Sequence, residues 1–209
     1  MEGQETSQRA SQTPYLANGD KWMKKFKVCI DPGHTQAKDT KGDPGAVNGS
    51  YWESVAALDI ALMMGEMFKG AGCDVVYTRK KGAPDLTLKR RCQIANEANA
   101  DVFISIHLNS AENKGATGIE VLRYGDCSYK TKELADNVQN RLVDATGFRN
   151  RGVKIRNNLY VLKHTKMPAI LVETGFISND EQCADLFSDD CQFYIAQAIF
   201  MATLSTFRR

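Results

Sequence analysis

Apolar residues alternate with polar ones over several short stretches of the chain, and in several longer stretches they recur at helical spacing. In F-K-V-C-I, Phe26, Val28 and Ile30 alternate with Lys27 and Cys29, and this period of two predicts a first β-strand. Alternation or a short apolar run predicts further strands at residues 74–78, 102–107, 118–123, 159–162 and 169–172. Helical spacing predicts helices at residues 53–69, 86–99, 129–145 and 190–207. We expect the last helix to bury Phe193, Ile195, Ile199 and Leu204.

The alternation of strands with helices predicts the fold class. It indicates a single α/β domain of three layers, in which helices flank a mostly parallel central sheet. The 209 residues are enough for one domain with a substantial core and leave little room for a second. Residues 1–22 are polar and lack periodicity, so we expect a mobile tail there, either native or added by a vector, before a folded domain at 23–209.

Composition and charge exclude several classes of protein. With 43% hydrophobic and 25% charged residues, the chain is neither disordered nor collagen-like. A formal net charge of +2 is too small to predict a nucleic-acid partner. No apolar run reaches the length of a membrane span, so membrane insertion is not expected. Residues 1–20 contain no apolar core of a secretory signal, which predicts synthesis in the cytoplasm without a signal peptide.

The six cysteines are scattered and form no C-x-x-C pair. Their positions, which predict reduced thiols rather than a disulfide framework, are Cys29, Cys73, Cys92, Cys127, Cys183 and Cys191. A single disulfide between Cys183 and Cys191 is the alternative.

Three residues with metal-ligand chemistry stand where predicted elements begin or end. His34 follows the first strand across the turn Asp31-Pro32-Gly33, which we expect to stop that strand, and His107 ends the strand at 102–107. Glu53 begins the first helix, after the loop that His34 opens. Two imidazoles and one carboxylate, with a fourth position left for water, form a donor set of hydrolytic zinc. Taken singly, each residue also fits a plain role as a loop histidine, a strand-end histidine or a helix-start acid.

Two further polar residues follow predicted strands. Glu173 comes directly after the apolar run A-I-L-V, a place where packing does not favour a carboxylate. Near zinc, it would take a proton from an activated water and pass it to a leaving amine; the alternative is a structural acid paired with an arginine. Asn109 is a candidate hydrogen-bond partner for a substrate peptide group, with a plain turn residue as the alternative.

Several separated motifs occur together and in order. V-C-I-D-P-G-H, the following W-E, S-I-H-L-N-S and M-P-A-I-L-V-E-T-G-F-I-S-N resemble the zinc-dependent N-acetylmuramoyl-L-alanine amidases of the amidase 3 type. The likeness runs from about residue 27 to 207. It implies that His34, Glu53 and His107 bind one zinc ion per chain and that Glu173 is the catalytic carboxylate. Leu108 departs from the family, which usually has a small residue there.

The same resemblance implies a substrate, namely the amide between N-acetylmuramic acid and L-alanine in peptidoglycan. Residues 23–209 would then be the amidase catalytic domain, acting as a monomer on the cell wall after release, as a phage endolysin or an autolysin does. Arg79 and Arg91 match family arginines, and we expect both to be structural ion-pair partners. We expect His164 to be an exposed loop histidine without a metal role. The rival hypotheses are a zinc peptidase that cuts the stem peptide and a wall-binding domain without activity.

Overall fold

The fold is an α/β domain, seen here in a computed structural model that describes residues 25–35 and 42–207. The predicted tail at residues 1–22 lies outside the described residues. The strands are β1 (Lys27–Pro32), β2 (Val47–Asn48), β3 (Tyr51–Trp52), β4 (Asp74–Tyr77), β5 (Val102–Asn109), β6 (Ile119–Arg123), β7 (Asn150–Ile155) and β8 (Ala169–Phe176). The helices are α1 (Glu53–Gly70), α2 (Leu88–Glu97), α3 (Tyr129–Thr146), α4 (Tyr160–His164), α5 (Asp180–Leu186) and α6 (Asp189–Phe207).

Six of the strands form one sheet in the order β4-β1-β5-β8-β6-β7. The four strands β4, β1, β5 and β8 are parallel to each other, β6 is antiparallel to β8, and β7 is parallel to β6. The predicted mostly parallel sheet is therefore confirmed. The remaining two strands, β2 and β3, form a small antiparallel hairpin directly before α1.

The sheet separates two hydrophobic layers, as successive side chains of each strand point to opposite faces. Val28 and Ile30 of β1 belong to the larger cluster, which packs against α1, α3 and α6. Cys29, between them, belongs to the smaller cluster, which packs against α2 and α4. The two clusters confirm the three-layer architecture predicted from the alternation of strands and helices.

Five elements differ from the sequence-based prediction. Residues 160–162 of the predicted strand at 159–162 belong to helix α4, while strands β2, β3 and β7 and helix α5 were not predicted. Periodicity cannot decide the type of a four-residue apolar run, and Val161 and Leu162 reach the smaller cluster from a helix. Strand β7 lies at the sheet edge and has no fully buried residue, so its sequence N-R-G-V-K-I carries no clear alternation.

Helix α6 buries only part of its predicted apolar face. Ile195, Ile199 and Leu204 are buried, as predicted, but the prediction for Phe193 is wrong because 44% of its surface is exposed. Phe193 precedes Ile195 by two residues, which places it about 200° away around a helix of 3.6 residues per turn.

All six cysteines are free thiols in the structure, and the alternative Cys183–Cys191 disulfide is absent. Within the described ranges, no helix combines the length and the apolar character that crossing a membrane requires.

Candidate active site and metal centre

The turn after β1 carries His34 under tight steric constraint. β1 runs two residues further than predicted, because Pro32 still pairs with Ile106 as the last residue of the strand. Gly33 then donates its N–H to the Ile106 carbonyl at 2.9 Å. A Cβ atom on Gly33 would lie 2.4 Å from Cε1 of His107, so only glycine fits between the two histidines. His34 itself has a φ of 57°, a left-handed conformation that non-glycine residues seldom adopt.

The Glu53 carboxylate joins the two histidines. Its Oε1 atom lies 3.2 Å from Nε2 of His34 and 2.9 Å from Nδ1 of His107. Backbone N–H groups of Leu108 and Ala46 donate to Oε1 and Oε2 at 3.1 and 2.8 Å. Although burial acts in the opposite direction, the hydrogen bonds with His107 and His34 hold the pKa of Glu53 well below its usual range. Glu53 is thus an ionised, buried carboxylate at the start of α1.

His34, Glu53 and His107 form a compact group of potential metal ligands. Each side chain offers one ligand atom, and the three atoms lie within 4.8 Å of one another. The structure therefore brings together the three residues that the sequence singled out, from the ends of β1 and β5 and the start of α1. Burial opposes protonation of His34, but its contact with Glu53, and then with Asp43, raises its pKa to about 9.

Asp43 is a site residue that sequence reasoning missed. Its Oδ2 atom lies 2.8 Å from Nδ1 of His34, and its Oδ1 atom accepts the N–H of Gly45 at 2.9 Å. The hydrogen bond from Gly45 is the main reason why the pKa of Asp43 is lowered. A carboxylate at Nδ1 keeps the proton on that nitrogen, which leaves Nε2 as the ring nitrogen available to a metal. The D-P-G turn at residues 43–45 was the available signal, but only the fold reveals which side chain it faces.

Glu173 lies beside the cluster on the neighbouring strand. It is directly opposite His107 in the β5–β8 ladder and opposite Glu120 in the β8–β6 ladder. The strand continues to Phe176, so Glu173 does not end it as its sequence position had suggested. Its Oε2 atom is buried without a hydrogen-bond partner among the described residues. Burial, reinforced by the charges of Glu53 and Glu120, raises the pKa of Glu173 to about 7.

Asn109 is the last residue of β5 and not a turn residue. Its Nδ2 atom donates to Oε1 of Glu120 at 3.1 Å, and its Oδ1 atom accepts the N–H of Ser110 at 2.9 Å. Arg151 completes this group by donating from Nε to Oε2 of Glu120 at 3.0 Å. The Asn109 side chain is therefore held by protein groups at the strand end next to His107.

The other polar residues from the sequence analysis have structural contacts. Arg91 forms the expected ion pair, with Nη1 2.8 Å from Oδ1 of Asp31. For Arg79 the expectation of an ion pair is wrong, because its hydrogen bonds in the described structure go to backbone carbonyls. His164 is exposed, but it ends α4 instead of lying in a loop, and its ring stacks on Tyr160 with centroids 3.9 Å apart.

Comparison with known proteins agrees with this geometry. Residues 28–204 match the family Amidase_3, described as N-acetylmuramoyl-L-alanine amidase. The chain belongs to this amidase family. It is 35% identical over 184 residues to the N-acetylmuramoyl-L-alanine amidase LytC of Bacillus subtilis. This match covers 87% of this chain and 35% of LytC. The chain thus spans about a third of the length of LytC. It is also 32% identical to the endolysin of Bacillus phage SPP1, over 78% of this chain and 59% of the endolysin.

Solved amidase structures share the fold. The N-acetylmuramoyl-L-alanine amidase of Clostridium difficile 630 superposes with a TM-score of 0.80 at 33% identity, covering 87% of this chain and 96% of that one. The catalytic domain of CwlV, an amidase of Bacillus (Paenibacillus) polymyxa var. colistinus, gives a TM-score of 0.78 at 32% identity. That match covers 86% of this chain and 97% of the CwlV domain. The single α/β domain therefore has the fold of these amidase structures.

Proposed function

We propose that this chain is a zinc-dependent hydrolase that cleaves the amide bond between N-acetylmuramic acid and L-alanine in peptidoglycan. One observation carries the proposal: two histidines and a glutamate converge within 4.8 Å, and an unpartnered buried carboxylate oxygen of Glu173 lies on the adjacent strand. Membership of the amidase family supplies the substrate class.

The donor set fits one zinc ion per chain. His34, Glu53 and His107 offer two imidazole nitrogens and a carboxylate oxygen, a three-ligand set typical of catalytic zinc sites that keep a fourth position open. The backbone of Gly45 packs closely against this set, because a Cβ atom on Gly45 would lie 2.6 Å from Oε2 of Glu53. Zinc held there would polarise the scissile carbonyl and lower the pKa of a water molecule.

Glu173 is the proposed proton carrier. Hydrolysis of an amide requires a base to deprotonate the attacking water and an acid to protonate the leaving amine. With a pKa raised to about 7 by burial, the Glu173 carboxyl is poised to accept a proton and release it near neutral pH. Its position opposite His107 supports this role, since it brings the carboxylate beside the metal-ligand cluster.

Asp43 and Asn109 have supporting roles in the proposed reaction, and neither transfers the proton. Asp43 holds the Nδ1 proton of His34 and so orients the ring toward the cluster. Asn109 is the proposed substrate contact. The Nδ2 atom of Asn109 carries two protons; one is donated to Glu120, and a substrate peptide carbonyl could accept the other.

The partner in this proposal is the cell wall. A single chain contributes all four site residues, which supports a monomeric enzyme with residues 23–209 as its catalytic domain. The resemblance to LytC and to a phage endolysin supports action on peptidoglycan, as an autolysin or as an endolysin.

Digestion of purified peptidoglycan tests the proposal directly. We expect mass analysis of the products to show muramic acid with a free lactyl carboxylate and stem peptides with a new L-alanine amino terminus. Chelator should abolish both products, and added zinc should restore them. Cleavage within the stem peptide, with the lactyl amide intact, would instead identify a peptidase.

A further inference from the structure

Two buried arginines hold the backbone beneath His34. Arg79 follows β4 and Arg91 lies on α2, with only 2% and 3% of their surfaces exposed. Arg79 donates from Nε to the Pro32 carbonyl at 3.1 Å and from Nη2 to the Gly33 carbonyl at 2.7 Å. Arg91 donates from Nη1 to the Pro32 carbonyl at 2.7 Å and from Nη2 to the His34 carbonyl at 2.6 Å. Three consecutive carbonyls are thus bound by two side chains.

These contacts lie where the hydrogen bonds between β1 and β5 end. The backbone turns away from the sheet after Gly33, and His34 adopts its left-handed φ of 57°. A non-glycine residue keeps such a conformation only when its surroundings determine it strongly. The two guanidinium groups hold His34 in this conformation, because each presents several hydrogen-bond donors in a rigid plane.

Arg79 also connects the His34 turn to the helix that carries Glu53. The same Nη2 atom that binds the Gly33 carbonyl donates to the carbonyl of Ser54 at 2.7 Å. Ser54 directly follows Glu53 on α1. One nitrogen atom therefore links the backbones next to two of the metal-ligand candidates.

A buried hydrogen-bond network around Asp31 holds Arg91 in place. Its Nη1 atom contacts Oδ1 of Asp31 at 2.8 Å, and Thr78 donates to the same oxygen at 2.5 Å. Ser105 donates to the other oxygen, Oδ2, at 2.7 Å. These contacts to Asp31 come from helix α2, from strand β5 and from the residue directly after β4, so the guanidinium has little freedom to move.

Charge alone gives no reason for two arginines here. Together with Asp31 they leave a net positive charge below the cluster, and this charge repels a divalent cation. Burial, and then the charge of Arg91, lowers the pKa of Arg79 to about 10, so the Arg79 guanidinium remains charged at neutral pH. The benefit of the arginines to the site must therefore come from the geometry of their hydrogen bonds.

We propose that Arg79 and Arg91 are positioning residues for metal binding, which clamp the carbonyls of residues 32–34 and fix His34 relative to Glu53. This inference rests on the proposed function, because it takes His34 and Glu53 as zinc ligands. Lysine in place of either arginine keeps the charge but cannot bind two or three carbonyls in the same plane.

The test is the zinc affinity of Arg79→Lys and Arg91→Lys, measured by competition with a chromophoric chelator. The matched control is Arg90→Lys, on the same helix as Arg91 but exposed and paired with Glu97 at 3.0 Å. We expect both lysine variants to bind zinc ~10-fold or more weakly than the parent, as is typical when partners of metal ligands are removed, and the control to be unchanged. Circular dichroism of each variant establishes that it is folded.

Arg79→Met separates geometry from charge. If the arginine acted only through its charge, this variant would bind zinc more tightly than the parent, because a repulsive charge is gone; we expect weaker binding. Parent-like affinity in folded Arg79→Lys and Arg91→Lys would overturn the inference while leaving the proposed function intact. Unfolding of both lysine variants would also overturn it, because the arginines would then support the fold and not the site. Failure of the parent itself to bind zinc would refute the proposed function, and the inference with it.

Discussion

His107 and Glu173 lie directly opposite each other on the parallel strands β5 and β8. Adjacent strands are about 4.8 Å apart, so this register fixes a carboxylate next to an imidazole without any flexible loop between them. The pairing connects a metal-ligand candidate with the proposed proton carrier through the rigid centre of the sheet. A shift of one residue in either strand would turn one of the two side chains to the other face.

The first prediction concerns metal content. Purified protein should contain about one zinc ion per chain, in keeping with a single three-ligand catalytic site. His107→Ala should lose most of this zinc but keep its fold, since His107 lies near the carboxyl end of β5 and the hydrophobic clusters of the sheet do not include it. Elemental analysis and circular dichroism measure the two properties. His164→Ala is the matched control and should keep its zinc; full zinc occupancy in His107→Ala would refute the ligand assignment.

The second prediction separates the two glutamates. Glu173→Gln keeps size and shape but cannot accept a proton, so peptidoglycan cleavage should fall by at least ~10²-fold while zinc content stays near that of the parent. Glu53→Gln should lose zinc together with activity, because an amide is a poorer zinc ligand than a carboxylate. Both variants should be assayed side by side for metal and for fragment release. The opposite pattern would show that the two roles are exchanged.

The third prediction concerns Asp43. Asp43→Ala removes the partner of His34 Nδ1, so zinc affinity should fall by roughly 10- to 100-fold, the usual effect of losing such a partner. Competition with a chromophoric chelator measures the change. Asp136→Ala, an exposed aspartate on α3, controls for the loss of one negative charge and should leave affinity unchanged. Equal affinities in the two variants would exclude an orienting role for Asp43.

The fourth prediction concerns pH. In the metal-free protein, Glu53 and Asp43 raise the pKa of His34 from 6.5 to about 9, despite its burial. The resulting ion pair stabilises the metal-free fold fully below pH 6.5, and this contribution is lost as the pH rises through about 9. A ligand imidazole must be neutral, so zinc binding at pH 7 should displace a proton from His34.

Calorimetry in two buffers of different ionisation enthalpy measures this proton. Zinc affinity should weaken by roughly tenfold per pH unit as the pH falls from 9 toward 7, as expected for one competing proton. His164→Ala should release the same number of protons as the parent. A binding enthalpy that does not depend on the buffer at pH 7 would contradict the prediction.

The sequence by itself determined the fold class and the candidate ligands. Alternating apolar residues specify which face of each strand is buried, and residues such as Val28 and Ile30 carry that information locally. His34, His107 and Glu53 stand at element ends, and in a parallel sheet the element order alone brings such ends to one edge. Local pattern and chain order were therefore sufficient for these features.

Tertiary structure alone decided the features that depend on distant partners. Asp43 and His34 are nine positions apart and meet only in the folded chain, and Arg79 reaches the carbonyls of residues 32 and 33 from more than 40 positions away. Hydrogen bonds to backbone carbonyls need no particular residue at the accepting end, so they leave no trace in the pattern of residue types. The sequence did not predict the exposed edge strand β7 or the short helix α4, because neither has enough local periodicity. Their conformation depends on the neighbouring elements against which they pack, as Val161 and Leu162 of α4 do in the smaller cluster.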